Sequence, residues 1–413
     1  MGVRARSIQS AVLSALEDTP AVFLHGPRQA GKTTLARGIA ADLGWTYLSF
    51  DEQLPRAAAS ADPEGFLAGR PGSLVLDEVQ LVPELARAIK AEVDRDRRPG
   101  RFLLTGSTDL RALPALAESL VGRMEVVPLW PFAASEIEAA PSDWVDRLFA
   151  TADQRPSLPV TAADPSLLQR IAAGGFPEAV GRRDPARRLA WFDSYLTTIL
   201  QREVRELTQV AEPEALFRLL QLLARRAGGL LNFADIARTV GMPQTTLKRY
   251  FGLLEATFLV RTLPAWSGNL GLRLLKSPKL FLVDTGLACA LLGADPTRLK
   301  NDGGLRGALT ENFAALEILK QASWSLTRPR LFHYRTAAGH EVDLVLENRA
   351  GQVVGVEVKA SSRVESSDFR GLRRLRGLLG ERFLRGVVLH GGRDGASFGD
   401  GLVALPMESL WRG

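Results

Sequence analysis

The sequence is poor in the residues that build disulfide frameworks and zinc sites. Among its 413 residues there is one cysteine, Cys289, and the four histidines are scattered at positions 25, 333, 340 and 390. One cysteine excludes a disulfide framework and a cysteine-based zinc site, and the histidines show no zinc-ligand spacing. The sequence therefore favours a protein of a reducing compartment.

Long apolar runs are also missing. No run approaches the ~20 residues that a membrane-spanning helix needs, and we recognise no secretory signal. We expect a soluble, cytoplasmic protein without a membrane partner. A hydrophobic content of 46% is ample for folded cores, and the length allows about two to four domains. The net charge of +6 is compatible with nucleic-acid binding without demonstrating it.

The most specific pattern present is a phosphate-binding loop. The apolar run Ala21 to Leu24 precedes it and a helix-forming run from Leu35 follows it, which is the context that the motif requires. The glycines let backbone N–H groups converge on an anion at the start of the helix. We predict that Lys32 reaches the β- and γ-phosphates and that Thr33 binds Mg²⁺. The pattern G-x-x-x-x-G-K-S/T spans residues 26–33, and together with the next residue these are assigned to nucleotide binding: Gly26, Pro27, Arg28, Gln29, Ala30, Gly31, Lys32, Thr33 and Thr34.

The acidic part of such a site is expected at the end of another buried strand. The run Leu74 to Leu76 is apolar and is followed at once by Asp77 and Glu78. Open α/β sheets bind their ligands at this end of their strands. We predict that Asp77 acts on Mg²⁺ and that Glu78 orients or deprotonates the attacking water. A strand end with solvated acids is the competing interpretation.

Two further segments complete the predicted nucleotide site. A strand over 101–107 ends in Thr105 and Ser107, and in a parallel sheet one of these hydroxyls would lie beside the γ-phosphate. Arg123 precedes another strand-like run, and we consider it a candidate to stabilise charge within the chain or in a neighbouring subunit. A surface salt bridge is the other interpretation of Arg123.

These segments resemble the AAA-type ATPases of bacteria and archaea. The resemblance is carried by Gly26 to Thr34, Leu74 to Gln80, Leu104 to Ser107 and Ser119 to Glu136. More narrowly, the chain resembles a group in which such a core precedes a C-terminal domain of unknown function. The resemblance implies ATP and Mg²⁺ as cofactors, ATP hydrolysis, and assembly into a homo-oligomer.

The remaining chain predicts an α/β multidomain protein. Leucine-rich helical stripes follow the core, as in the lid of AAA-type ATPases, and prolines concentrate between the two. The predicted parts are a parallel P-loop ATPase core at 1–140, a linker at 141–165, a helical lid at 166–230, a winged-helix-like segment at 231–300 and a nuclease-like α/β domain at 301–413.

The winged-helix prediction depends on two short helices and a turn. Asn232 is suited to cap the first helix, Gly241 to end it, and Pro243 to open the second. The second helix would expose Gln244, Thr245, Lys248 and Arg249 and bury Leu247, Phe251 and Leu254. The exposed side chains suit a nucleic acid. Docking of a protein partner is the alternative.

The C-terminal part carries a second set of acids. Glu311 lies on a helical stretch, Asp343 on a predicted strand, and Glu357 and Lys359 on the next strand with their side chains on one face. We predict that Glu311, Asp343 and Glu357 hold a divalent metal and that Lys359 points into the same cleft. The pattern resembles the restriction-endonuclease-like PD-(D/E)XK nucleases, although Val342 stands where their proline would be. A strand edge with solvated charges is the competing interpretation.

We therefore expect Mg²⁺-dependent ATP hydrolysis coupled to nucleic-acid binding or cleavage, with DNA favoured. The alternative is a nucleotide-gated scaffold for partner proteins that carries an inactive nuclease-like domain.

Overall fold

The computed structural model describes residues 4–140, 142–150, 167–203, 213–269, 271, 273 and 276–412. The chain divides into two units. The first comprises Met1–Phe132 and Gly252–Leu259, and the second comprises Ala133–Phe251 and Val260–Gly413. Of the predicted linker at 141–165, only 142–150 are described, and they include the helix Trp144–Phe149. The rest of the predicted linker lies outside the described residues.

The first unit is built on a five-stranded parallel sheet of order β2-β3-β4-β1-β5. Its central strands, β1, β3 and β4, are buried almost throughout because helices cover both faces of a parallel sheet. This confirms the predicted parallel α/β core. The strands are β1 Ala21–His25, β2 Thr46–Ser49, β3 Leu74–Asp77, β4 Phe102–Gly106 and β5 Met124–Pro128.

In the described part of the first unit, six complete α-helices accompany this sheet. In one of them Leu85, Ile89 and Val93 recur at helical spacing and are buried in the core with Phe23 and Phe102. The helices are Gln9–Asp18, Lys32–Leu43, Gln53–Ala61, Pro63–Ala68, Leu85–Arg95 and Pro114–Ser119.

The first unit also includes a segment from much later in the sequence, Gly252–Leu259. The backbone N–H of Asp109 donates to the carbonyl of Ala256 at 3.0 Å. The ring of Phe258 lies edge-on to His25 and Trp130, with centroid distances of 5.4 and 5.9 Å. The first unit is therefore not continuous in sequence.

The second unit is mainly helical before residue 330. One of the predicted leucine-rich stripes is formed by Leu216, Leu219, Leu220 and Leu223, and it is fully buried. No helix in the described part of either unit is long and apolar enough to cross a membrane. The helices are Ala134–Ile137, Trp144–Phe149, Leu167–Ala173, Pro177–Val180, Pro185–Thr198, Pro213–Arg225, Phe233–Val240, Gln244–Ala256 (which ends in the first unit), Thr285–Leu292, Pro296–Asn301, Gly303–Trp324 and Arg370–Leu379.

The segment predicted as a winged helix has two helices at the predicted positions. The side chain of Asn232 caps the first helix by accepting from the backbone N–H of Asp235, and Gly241 ends it in the left-handed conformation. A strand after the second helix, β6 Val260–Leu263, pairs antiparallel with β7 Lys279–Leu282. The winged-helix assignment itself stays a prediction.

The C-terminal part folds around a six-stranded mixed sheet of order β12-β13-β11-β10-β9-β8. Strand β10 pairs antiparallel with β9 and parallel with β11, and the helix Arg370–Leu379 places Leu372 and Leu375 in the core. The restriction-endonuclease-like assignment stays a prediction. The strands are β8 Arg330–Arg335, β9 Glu341–Glu347, β10 Val353–Lys359, β11 Phe383–His390, β12 Ala396–Ser397 and β13 Leu402–Pro406.

One close helix–strand approach in this domain predicts the effect of a small substitution. A Cβ at Gly371 would overlap the carbonyl oxygen of Glu341, whereas a Cβ at Gly377 in the same helix meets nothing within 4 Å. We expect Gly371→Ala to lower the free energy of unfolding by about 1–3 kcal/mol through overpacking. Gly377→Ala should raise it by about 0.5–1 kcal/mol because alanine favours the helix.

Thermal unfolding of the two purified variants beside the parent protein checks this prediction. Equal midpoints for the two variants would contradict the helix–strand approach.

Candidate functional site

The phosphate-binding loop joins β1 to the helix Lys32–Leu43. A Cβ at Gly26 would overlap the carbonyl oxygen of Leu129, and Gly31 has a φ of +100° directly before the helix. Both positions therefore require glycine. Lys32 is 4% exposed, and its ammonium donates to the carbonyls of Gly26 and Pro27 at 3.0 Å each. The loop thus curls around the lysine as the motif predicts.

The other loop residues differ in exposure. Ala30 is buried, Arg28 is half-buried, and Gln29 and Thr34 are exposed. The side chain of Arg6, which the sequence analysis did not assign, donates to the carbonyls of Ala30 at 2.7 Å and Trp130 at 2.6 Å. This arginine ties the loop to the chain segment that follows β5.

Asp77 ends β3 and is 1% exposed. Its carboxylate accepts hydrogen bonds from the hydroxyls of Thr33, at 3.0 Å, and Tyr47, at 2.6 Å, and also from Thr105. Burial and the hydrogen bond to Asp77 raise the pKa of Tyr47 to about 12, so this phenol stays protonated and donates. The structure thus brings Thr33 and Asp77 together as predicted. The role of Tyr47 was missed, although it lies on the strand beside Asp77.

Glu78 follows directly, with a φ of 58° in the left-handed region, where residues other than glycine are uncommon. Its Oε2 accepts from the hydroxyl of Ser107 at 3.0 Å and from the side-chain amide of Gln80. That amide also lies 3.0 Å from the Ser107 hydroxyl. The structure therefore brings Ser107 to Glu78, and it adds Gln80, to which the sequence analysis gave no role.

The side chains at this site fit Mg²⁺ and a polyphosphate, the two groups that the motif implies. The hydroxyl of Thr33 and the carboxylate of Asp77 are adjacent oxygen donors, which is the chemistry that Mg²⁺ prefers. The buried ammonium of Lys32 lies among backbone groups of a loop that opens a helix, which suits a polyphosphate.

Arg123 lies elsewhere. It directly precedes β5, which runs parallel to β1, so it stands at the N-terminal edge of the sheet, whereas the phosphate loop follows the C-terminal end of β1. Its guanidinium lies 2.6 Å from the carboxylate of Asp94, and its side chain is 26% exposed. The hydrogen bond from Arg123 lowers the pKa of Asp94 to about 2. The prediction that Arg123 acts on the nucleotide of its own chain is therefore wrong. Its role in a neighbouring subunit stays a prediction.

The C-terminal acids come together in the second unit. Asp343 on β9 accepts at Oδ2 from the backbone N–H of Val358 at 2.9 Å. On β10, the ammonium of Lys359 lies 2.8 Å from Oε1 of Glu357. Glu311, from the helix Gly303–Trp324, reaches the same cluster through a lysine that the sequence analysis did not consider.

That lysine is Lys279, the first residue of β7. Its ammonium lies 2.7 Å from Glu311, 2.8 Å from Asp343 and 2.9 Å from Glu341. The side chain is 2% exposed. Burial alone would lower the pKa of Lys279, but the surrounding carboxylates outweigh burial and raise it. A lysine that opens an otherwise apolar strand, Lys-Leu-Phe-Leu, was the available signal.

Burial raises the pKa of Glu311 and of Glu357 to about 8, and the charge of Asp343 adds to both shifts. Oε2 of Glu357 has no hydrogen-bond partner among the described residues. In the same part of the chain, no group of three or more His, Cys, Asp or Glu residues is arranged to hold a metal ion. The predicted metal ligands Glu311, Asp343 and Glu357 thus lie near one another, but two of them, Glu311 and Asp343, contact the ammonium of Lys279 where a metal ion was predicted.

Three family profiles match the chain. One is described as an AAA domain and covers residues 18–138. Two are described as domains of unknown function: DUF8612 over residues 164–298 and DUF4143 over residues 306–410.

Solved structures show weaker similarity. The Walker-type ATPase PABY2304 of Pyrococcus abyssi is 16% identical, with a TM-score of 0.43 over 70% of this chain and 96% of that one. The RuvB Holliday junction branch migration motor of Thermotoga maritima is 20% identical, with a TM-score of 0.29 over 62% and 87% of the two chains.

Two curated sequences match almost the whole chain. They are the uncharacterized proteins Rv2008c of Mycobacterium tuberculosis and Mb2031c of Mycobacterium bovis. Each is 31% identical over 411 residues, which is 99% of this chain and 85% of the relative. The chain therefore belongs to the family of these two mycobacterial proteins, and it carries an AAA domain followed by a C-terminal DUF4143 domain.

Proposed function

We propose that this protein binds ATP with Mg²⁺ at the site of the first unit and hydrolyses it. The observation that carries the proposal is that side chains at or after the ends of three parallel strands pair with one another. Thr33 and Asp77 share a hydrogen bond of 3.0 Å, and Ser107 and Glu78 share another of 3.0 Å, beside a complete phosphate-binding loop. The AAA domain match over the same residues supports it.

Each side chain has a distinct task in this proposal. Mg²⁺ supplies charge neutralisation on the phosphates, and Thr33 and Asp77 are the residues that would hold it. Lys32 pairs with the β- and γ-phosphates. Glu78 accepts a proton from the attacking water or orients it, and Ser107 positions the carboxylate of Glu78.

Lys32 has to exchange partners when nucleotide binds. Its ammonium donates to two loop carbonyls, those of Gly26 and Pro27. Phosphate oxygens are stronger acceptors for an ammonium than neutral carbonyls, because hydrogen bonds between two charged groups are shorter and stronger. Lys32 therefore moves from a partner within the loop to the phosphates without leaving a buried charge unpaired.

Removal of Lys32 tests binding. Lys32→Ala should weaken ATP binding at least about 100-fold, because it removes charge-assisted hydrogen bonds to the phosphates. Titration of a fluorescent ATP analogue measures this loss. The control is Lys90→Ala, which removes a lysine that pairs with Asp94 on the helix Leu85–Arg95. Equal affinities of the two variants for ATP would contradict the assigned role of Lys32.

Replacement of Glu78 separates binding from chemistry. Glu78→Gln should bind ATP as the parent protein does and turn it over about 10²–10⁴-fold more slowly, because an amide is a poor base. Phosphate release under saturating Mg²⁺-ATP measures the rate. Turnover at the parent rate would show that another group handles the water.

We propose nucleic-acid binding as a second function, through the helix Gln244–Ala256. Its predicted polar face, Gln244, Thr245, Lys248 and Arg249, is exposed. The opposite face is anchored, since Leu247 and Phe251 are buried and the ring of Phe251 lies edge-on to Phe233 at 5.3 Å. A rigid helix with a polar and basic exposed face suits a phosphate backbone. Docking of a protein partner on this helix is the alternative that the test must separate.

The double variant Lys248→Ala, Arg249→Ala should bind double-stranded DNA more weakly at every sequence. Its plot of log affinity against log salt should be shallower by about 2, because two phosphate contacts are lost. Fluorescence anisotropy at several salt concentrations measures both effects. The charge-matched control is Arg87→Ala, Lys90→Ala on the helix Leu85–Arg95 of the first unit. Unchanged DNA binding by the Lys248 and Arg249 variant would favour protein docking.

A further inference from the structure

The carboxylate cluster of the C-terminal part has the chain's own cation at its centre. The ammonium of Lys279 has three hydrogens to donate, and it lies within 2.9 Å of three carboxylates, those of Glu311, Glu341 and Asp343. These come from a helix and from β9. Two of these contacts, with Glu311 and Asp343, are hydrogen bonds, and the contact with Glu341 is an ion pair.

The backbone fixes Lys279 in this position. It lies in the antiparallel pair of β6 and β7, opposite Leu263, and forms a second bridge with Leu230. Next to it, the N–H of Leu280 donates to the carbonyl of Gly229 at 2.9 Å, and the carbonyl of Leu280 accepts from the N–H of Gly228 at 2.8 Å. Because the strand is hydrogen-bonded on both sides, the backbone of Lys279 is held beside the cluster, and the side chain, which is 2% exposed, lies against the carboxylates.

The backbone at Gly228 leaves the side chain of Glu311 little freedom to turn away from Lys279. A Cβ at Gly228 would lie 3.1 Å from Oε2 of Glu311, so this carboxylate packs directly against the backbone of Gly228. Its other oxygen, Oε1, is the one that contacts Lys279. The carboxylate is therefore held towards the lysine from the opposite side.

A divalent metal does not fit this arrangement. Both oxygens of Asp343 already accept hydrogen bonds, one from Lys279 and one from the backbone N–H of Val358. Glu357, the third predicted ligand, is paired through Oε1 with Lys359, which leaves Oε2 as its unpaired oxygen. A metal bound to Asp343 and Glu311 would lie next to a buried positive charge, and like charges in such surroundings repel strongly.

We propose that Lys279 is the resident cation of this cluster and takes the place of the divalent metal that the carboxylate pattern predicts. The cluster then ties β7, β9 and the helix Gly303–Trp324 together. The C-terminal part does not cleave phosphodiesters by metal-assisted chemistry at these residues.

Binding of Mn²⁺ to the full-length protein tests the proposal, with free Mn²⁺ measured by electron paramagnetic resonance and without nucleotide. The parent protein and Asp343→Asn should bind Mn²⁺ equally. Lys279→Met should gain about one Mn²⁺ per chain, and Lys279→Met, Asp343→Asn should lose that gain. The control Lys276→Met removes an exposed lysine from the same segment and should gain nothing.

Thermal unfolding gives a second readout. Loss of the central ammonium leaves carboxylates facing one another, so Lys279→Met should unfold at a Tm lower by about 5–15 °C. Mn²⁺ should restore part of that loss in Lys279→Met and none in Lys279→Met, Asp343→Asn.

Mn²⁺ binding by the parent protein that Asp343→Asn removes would overturn the proposal. A folded Lys279→Met that gains no Mn²⁺ would overturn it as well. If Lys279→Met does not fold, the comparison of the parent protein with Asp343→Asn still decides: equal Mn²⁺ binding supports the proposal, and a loss of binding in Asp343→Asn overturns it.

Discussion

The nucleotide site depends on the parallel hydrogen bonding of three adjacent strands. Strand β4 lies between β1 and β3, and its register pairs Thr105 with Leu24 of β1 and Leu104 with Leu76 of β3. The three strands therefore end within about one residue of one another. This fixed edge lets Thr105 reach Asp77 and lets Ser107 reach Glu78. Because backbone ladders set these distances, the acids are positioned before any ligand contributes.

How much of this site could be predicted follows from how local each signal is. The loop at residues 26–34 and the acids after β3 are read from a short motif and from the end of an apolar run, so both were predicted. The contacts of Tyr47 and Gln80 depend on strand order and on side-chain rotamers, which no local pattern encodes. The position of Arg123 could have been predicted correctly. Ligands bind at the C-terminal ends of parallel strands, and Asp77 lies at such an end. Arg123 precedes its strand, which places it at the opposite edge of the sheet.

The C-terminal part shows the same limit for charge. The pattern of Glu311, Asp343 and Glu357 predicted that acids converge, because strand alternation and a preceding helix are local features. It did not predict what balances them. Lys279 lies 32 residues before Glu311 and 64 before Asp343, so only the fold brings it to the acids. A pattern of acids therefore predicts where carboxylates converge. The chemistry of the resulting cluster depends on the cation that lies nearest to it.

The first unit is formed by two segments that are far apart in the sequence, which affects both truncated fragments and synthesis of the protein. A fragment that ends with the AAA domain match at residue 138 would lack Gly252–Leu259. The rings of His25 and Trp130 would lose Phe258, and the N–H of Asp109 would lose its acceptor at Ala256. During translation more than a hundred further residues must be added after Phe132 before Gly252–Leu259 is available. The contacts of the first unit can therefore be completed only after much of the helical part of the second unit has been synthesised.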